Sequence, residues 1–103
     1  MQPVFTAKIT SETDGVTTVR TDFGEPATNA VIVTEAQSVL EGLHLDGGRG
    51  IRFTGPLSIP LAFVIAHLVA HRYGFVACFD PKLSQFVVVI SHDPGVRVGD
   101  LIS

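Results

Sequence analysis

The period of the apolar positions shifts along this chain between two and about 3.6 residues, and those shifts predict its elements. "VFTAKIT" alternates apolar and polar residues, "SETDG" supplies an Asp14-Gly15 turn, and "VTTVRT" returns, which together read as a β-hairpin. After "DFGEP", the residues Val31, Val33, Ala36, Val39, Leu40 and Leu43 give a mostly one-sided apolar stripe and predict a helix over Asn29 to Leu43. "DGGRG" closes that unit. It precedes a strand instead of opening a helix, so it is not a phosphate loop and reads as a flexible connection.

A second unit follows. A short strand at 51–54 ends at Gly55-Pro56, Ser58 is placed to cap a helix, and Pro60 suits its first turn. The helix is expected to run to about Arg72 and stop at Tyr73-Gly74, with the glycine as C-cap. It is apolar on nearly every side, as suits a helix between a sheet and a partner surface. "FVACF" and "FVVVIS" read as strands 75–79 and 86–91 joined by the turn "DPKLSQ", and "VGDLIS" supplies a terminal strand. Strand, helix and strand form a right-handed crossover that makes strands 51–54 and 75–79 parallel, while the last two long strands form an antiparallel hairpin. The expected fold is α/β, a small mixed sheet carrying a strand-helix-strand crossover.

Composition narrows the function classes. The 103 residues suffice for one modest core and not two, so residues 1–103 are expected to form a single domain. With 46% hydrophobic and 17% charged residues, disorder is not expected, and the positive mean hydropathy suggests that another copy covers some apolar surface. The longest apolar run, Leu61 to Ala70, is too short for a membrane span and contains His67, and "MQPVFTAK" has no signal-peptide pattern. The single Cys78 allows no internal disulfide and fits a reducing cytoplasm. A net charge of −3 argues against a general nucleic-acid binder, double-stranded DNA included. Residues 1–47 set Lys8 and Arg20 against seven acids, whereas residues 48–103 carry a balance of +2, so an anionic ligand is expected on the C-terminal half.

The polar residues of that half fall into two groups. In a crossover the helix starts where its strands end. Thr54, Gly55, Pro56, Ser58, Asp80 and Lys82 therefore gather at one edge, where open α/β sheets bind ligands and a helix N-terminus favours anions. The plain alternative for Asp80 is that Asp-Pro opens a tight turn. His71, at the helix end, gathers with His92 and Asp93 at the opposite edge, as an acid–base pair or a metal site. The plain alternative for His71 is a cation favoured by the helix C-terminus. Its spacing from His67 resembles a zinc-protease helix only weakly, because Leu68 stands where that motif needs Glu. One strand length, roughly 15–20 Å, separates His71 from Asp80, so the two cannot share a site within one chain.

"GPLSIPLAFVIAHLVAHRYGFVACFDPKL" followed by "VVVISHDPGVRVGD" closely resembles the smallest, single-domain family of type III CRISPR-associated ring nucleases. These were first described as manganese-dependent RNA exonucleases removing adenylates, and later as enzymes degrading cyclic tetra-adenylate. The likeness is weaker before Ala27. It implies a minimal relative of the CRISPR-associated Rossmann fold. By position it implies catalytic roles for His71, Asp80 and His92, and ligand contacts from Thr54, Gly55, Pro56, Ser58 and Lys82. Lys82 stands where archaeal members have Arg, and Thr54 where they have Ser. The resemblance also implies Mn2+, with His71 and Asp80 as candidate ligands. Its partners would be cyclic tetra-adenylate or a short adenylate RNA, together with further copies of the chain as a homodimer, a dimer of dimers or a filament. The activity implied is a phosphodiesterase that cuts the ring into short linear oligoadenylates and switches off type III CRISPR antiviral signalling. The alternative is a non-catalytic binder of the same class of ligand.

Overall fold

The computed structural model describes residues 2–103. Strands β1 (Phe5–Thr13) and β2 (Val16–Phe23) precede helix α1 (Asn29–Gly42) and strand β3 (Gly50–Thr54). Helix α2 (Ile59–Val69) leads to strands β4 (Phe75–Asp80), β5 (Gln85–Ser91) and β6 (Leu101–Ile102). All six strands form one mixed sheet whose spatial order is the chain order. β2, β3 and β4 are parallel, and the pairs β1–β2, β4–β5 and β5–β6 are antiparallel. The chain thus contains two crossovers, β2-α1-β3 and β3-α2-β4, where the hydrophobic pattern alone marked only the second.

The hairpin is tighter than its sequence suggests. Asp14 and Gly15 both have positive φ (54° and 79°), the conformation of a two-residue turn matched to strand twist, so Thr13 pairs directly with Val16 and "SET" belongs to β1.

Both helices pack on the same face of the sheet. Ile32, Ala36 and Leu40 of α1 and Leu61, Ile65 and Val69 of α2 bury against Phe5, Val19, Ile51, Phe53 and Val76. The opposite face has a smaller core, in which Phe75, Ala77 and Val88 are buried beneath Val16, Phe86, Val96 and Ile102. Arg52 fastens the end of the chain over it. Its guanidinium lies 4.4 Å from the Phe86 ring centroid, Nε donates to the Thr18 hydroxyl (2.9 Å), and one terminal nitrogen donates to the Ser103 carbonyl (2.7 Å).

α2 ends earlier than expected. Its last helical residue is Val69, Ala70 caps it, and the Arg72 amide returns to the Val69 carbonyl (3.0 Å) in a tighter turn. His71 therefore follows the helix instead of occupying its last turn. Gly74 is not a left-handed C-cap. A Cβ there would stand 2.6 Å from the Arg49 carbonyl oxygen, so close backbone approach is what demands glycine. Nor is "DGGRG" a free loop: Gly48 exchanges backbone hydrogen bonds with Arg72 and Gly74 (3.2 Å each), and the Arg49 and Gly50 amides both donate to Gly15.

Candidate functional site

The parallel register of β3 with β4 sets the first edge. Phe53 lies level with Cys78, so the next residues of both strands, Thr54–Gly55 and Phe79–Asp80, emerge together beside the start of α2. The Gly55-Pro56 turn is held by the fully buried Thr21, whose hydroxyl lies 3.0 Å from the Pro56 carbonyl and 3.3 Å from that of Thr54. Gly55 has φ +105° and its α-carbon faces the Thr21 carbonyl with no room for a Cβ. Ser58 caps α2 as expected, its hydroxyl accepting from the Leu61 amide (3.3 Å). Asp80 folds back on its own turn, one carboxylate oxygen accepting from the Lys82 amide (2.8 Å).

That cap changes the anion capacity of the helix start. Pro60 has no N–H and the Leu61 amide is taken by Ser58, which leaves the Ile59 amide as the free donor of the first turn. Positive charge at this edge therefore falls to Lys82, whose ammonium is exposed and unpaired among the described residues.

The second edge holds the histidines. The His92 amide donates to the Gly74 carbonyl (2.7 Å), continuing the β4–β5 ladder past Ser91. This brings the His92 ring beside that of His71, the two stacked with centroids 5.7 Å apart and planes 24° apart. Both residues are exposed and neither imidazole has a hydrogen-bond partner among the described residues. Ser91 is structural. Its hydroxyl donates to the Val96 carbonyl (2.6 Å) and accepts from the Asp93 amide (3.2 Å). Asp93 is likewise occupied, its carboxylate accepting from the Gly95 amide (2.8 Å) instead of bonding to either ring. His67 lies within α2 and His71 beyond its end, so the zinc-protease-like spacing does not share one helical face.

The structure thus brings Thr54, Gly55, Pro56, Ser58, Asp80 and Lys82 together at one end of the parallel strands and His71 with His92 at the other. The six residues of β4 separate the two groups by about 17 Å at about 3.3 Å per residue. A metal held by one chain would need at least three converging donors. Among the described residues no group of three His, Cys, Asp or Glu side chains does so.

Between α2 and β4–β5 runs an apolar groove of about 420 Å³, lined by Phe53, Leu57, Ile59, Phe63, Cys78 and Val89 among others. Ile59 and Phe63 are 75% and 73% exposed, large values for such side chains on a packed helix. Burial pushes the Cys78 thiol above its ordinary range, in keeping with its place in this apolar lining. No helix is long and apolar enough to cross a membrane among the described residues.

Neither curated proteins nor solved structures yield a match to the chain. Residues 27–103 match the family model of the CRISPR-associated protein Cas_csx3, a span that takes in both helices, β3 to β6 and both polar edges. The chain belongs to this CRISPR-associated family.

Proposed function

We propose that the protein is a phosphodiesterase that opens cyclic tetra-adenylate into short linear oligoadenylates and so ends type III CRISPR signalling. The observation that carries this reading is the division of the polar residues between two ends of one sheet, in a member of a CRISPR-associated family. At one end the Gly55–Ser58 turn, Asp80 and Lys82 form a cradle. There Lys82 meets a phosphate, and the Asp80 oxygen not held by its turn accepts from a ribose hydroxyl. At the other end His71 and His92 carry imidazoles free to move a proton.

Because the two ends face apart, cleavage requires a ligand held by one pair of chains and a histidine edge supplied by another. A two-fold ring on a two-fold dimer lets each contact be made twice. The exposed apolar side of α2, with Ile59 and Phe63, gives a second copy a surface to cover. Manganese, if used, takes its donors from more than one chain, His71 and Asp80 being the candidates. It would supply Lewis-acid stabilisation of phosphate charge.

A second reading is favoured by one specific observation: Ser58 and Asp80 already spend a side-chain oxygen on their own turns, as suits a rigid binding surface without chemistry. Incubating the protein with cyclic tetra-adenylate, with and without manganese, and separating products by chromatography distinguishes the two. Linear oligoadenylates are expected. Ring that is retained but intact after prolonged incubation would leave only the binding module.

A further inference from the structure

We infer that the helix-free face of the sheet is a platform for single-stranded nucleic acid, a site apart from the cradle and independent of the reading above. Strand pairing sets one row of residues across that face. Lys8 pairs with Arg20 and Arg20 with Thr54, while Phe79 pairs with Phe86. Phe53 is level with Cys78, so Thr54 is level with Phe79 and the row runs from Lys8 to Phe86. Contacts fix its side. Phe86 packs into the smaller core, opposite the helices. The Arg52 guanidinium lies over the Phe86 ring and reaches the Thr18 hydroxyl, and the Phe79 and Phe86 rings meet with centroids 5.3 Å apart and planes 71° apart. Thr18, Arg52, Phe86 and Phe79 therefore share the helix-free face. Arg20 and Lys8 join them, because β2 pairs with β3 without a break from Thr18 to Arg20.

The row divides its chemistry. Two cations stand at one end and an aromatic ring at the other, with the Thr54 hydroxyl between. Arg20 is two strand spacings from Phe79 and Lys8 is three, each about 4.8 Å. Phe79 stays 39% exposed despite its contact with Phe86, which leaves ring surface on which a base can stack while phosphates meet the cations.

Two observations set this face apart from an ordinary solvated surface. First, Lys8 and Arg20 are the sole Lys or Arg residues of positions 1–47, among seven acids, yet they stand directly opposite each other. Like charges so placed destabilise a strand pair, and a bound polyanion relieves the repulsion. Among the hairpin's acids, Glu12 pairs with Thr17 on the helix face and Asp14 sits in the turn, so Asp22 alone shares the side of Arg20. That ion pair (3.2 Å) is half-exposed and weak, and it leaves one terminal nitrogen of Arg20 uncommitted. Lys8 has no ion pair among the described residues. Second, the fold aims the ring. Arg52, held by Thr18 and the Ser103 carbonyl, clamps Phe86, and Phe86 supports Phe79. A fixed ring beside incompletely neutralised cations suits a strand whose bases are unpaired and free to stack.

The test is fluorescence anisotropy, without added metal, of a labelled oligoadenylate of about ten nucleotides and of its deoxy and double-stranded counterparts. The native protein is compared with K8A/R20A, F79A, F79L and K82A at several salt concentrations. Saturable binding of the single strand is expected. K8A/R20A should weaken it about tenfold or more and reduce the salt slope by about 1.4, the value for two lost phosphate contacts. F79A should weaken it about 5- to 150-fold. F79L keeps an apolar side chain without the ring, so weakened binding at an unchanged melting temperature separates stacking from a folding defect. Tighter binding of RNA than of the deoxy strand is expected from the Thr54 hydroxyl, and equal binding widens the site to both. No binding by the native protein, unchanged binding by K8A/R20A or F79L, or a duplex held as tightly as the single strand overturns the assignment. So does displacement by polyglutamate as effective as by unlabelled strand, which would mark a general polyanion surface. Loss of binding in K82A alone would put the strand in the cradle and overturn it too. A native protein that binds the strand on this face yet leaves cyclic tetra-adenylate intact would overturn the nuclease reading and leave this site standing.

Discussion

The two ends of the parallel strands differ in which side chains they commit to holding the backbone and which they leave open. At the Asp80 end, Thr21, Ser58 and Asp80 each give an oxygen to a turn or cap, so much of the polarity there holds backbone in place. At the histidine end most of the work of holding is done by backbone and glycine, through Gly15, Gly48 and Gly74, with Ser91 and Asp93 closing the turn that follows β5. The imidazoles of His71 and His92, stacked on each other, are left without hydrogen-bond partners among the described residues. A surface whose oxygens are committed is rigid and suited to recognition. One whose ionisable groups are free on a fixed frame is suited to moving protons and charge.

This contrast is broken most sharply by His71→Ala. Turnover of cyclic tetra-adenylate should fall about 10²–10⁴-fold, while retention of the ring, read by gel filtration or calorimetry, persists. Loss of binding with unchanged turnover of bound ring would exchange the roles of the two ends. Next in size is Lys82→Ala, which removes the exposed charge of the cradle. Ring affinity should drop about tenfold or more with little change in kcat, because a charge-assisted contact made in ground and transition state alike is lost. A fall in kcat at constant KM would move Lys82 to the chemical step. The smallest effect is expected for Ser58→Ala. Removing the cap of α2 should cost about 1 kcal/mol, a melting temperature lower by about 4–8 °C, and should free the Leu61 amide for a ligand. A variant that melts as the native protein does would show that the cap contributes nothing.

Much of this was legible in the residues because it depends on near neighbours. The Asp14-Gly15 turn, the Ser58 cap, the Asp-Pro turn and the separation of His71 from Asp80 follow from local chemistry and strand length. What the sequence concealed depends on contacts far apart in the chain. Gly74 reads as a helix stop, since sequence cannot distinguish a glycine needed for positive φ from one needed to let the Arg49 carbonyl approach. "GGRG" reads as flexible for the same reason: its partners, Gly15 and Arg72, lie on other elements. The β2–β3 parallel pairing escaped because the hairpin's alternation points to β1 alone and says nothing of its second neighbour.

The coincidence of spatial and chain order in the sheet bears on how the molecule forms. Each strand docks beside its predecessor, directly or after one intervening helix, so no segment must thread between two already placed. The antiparallel pairs close over short turns, whereas β2, β3 and β4 can pair only after a whole helical crossover has been closed, so the parallel centre of the sheet is the costly step of assembly. Refolding from denaturant is accordingly expected to be slower than that of a helical bundle of the same length, the hairpins forming ahead of the parallel centre.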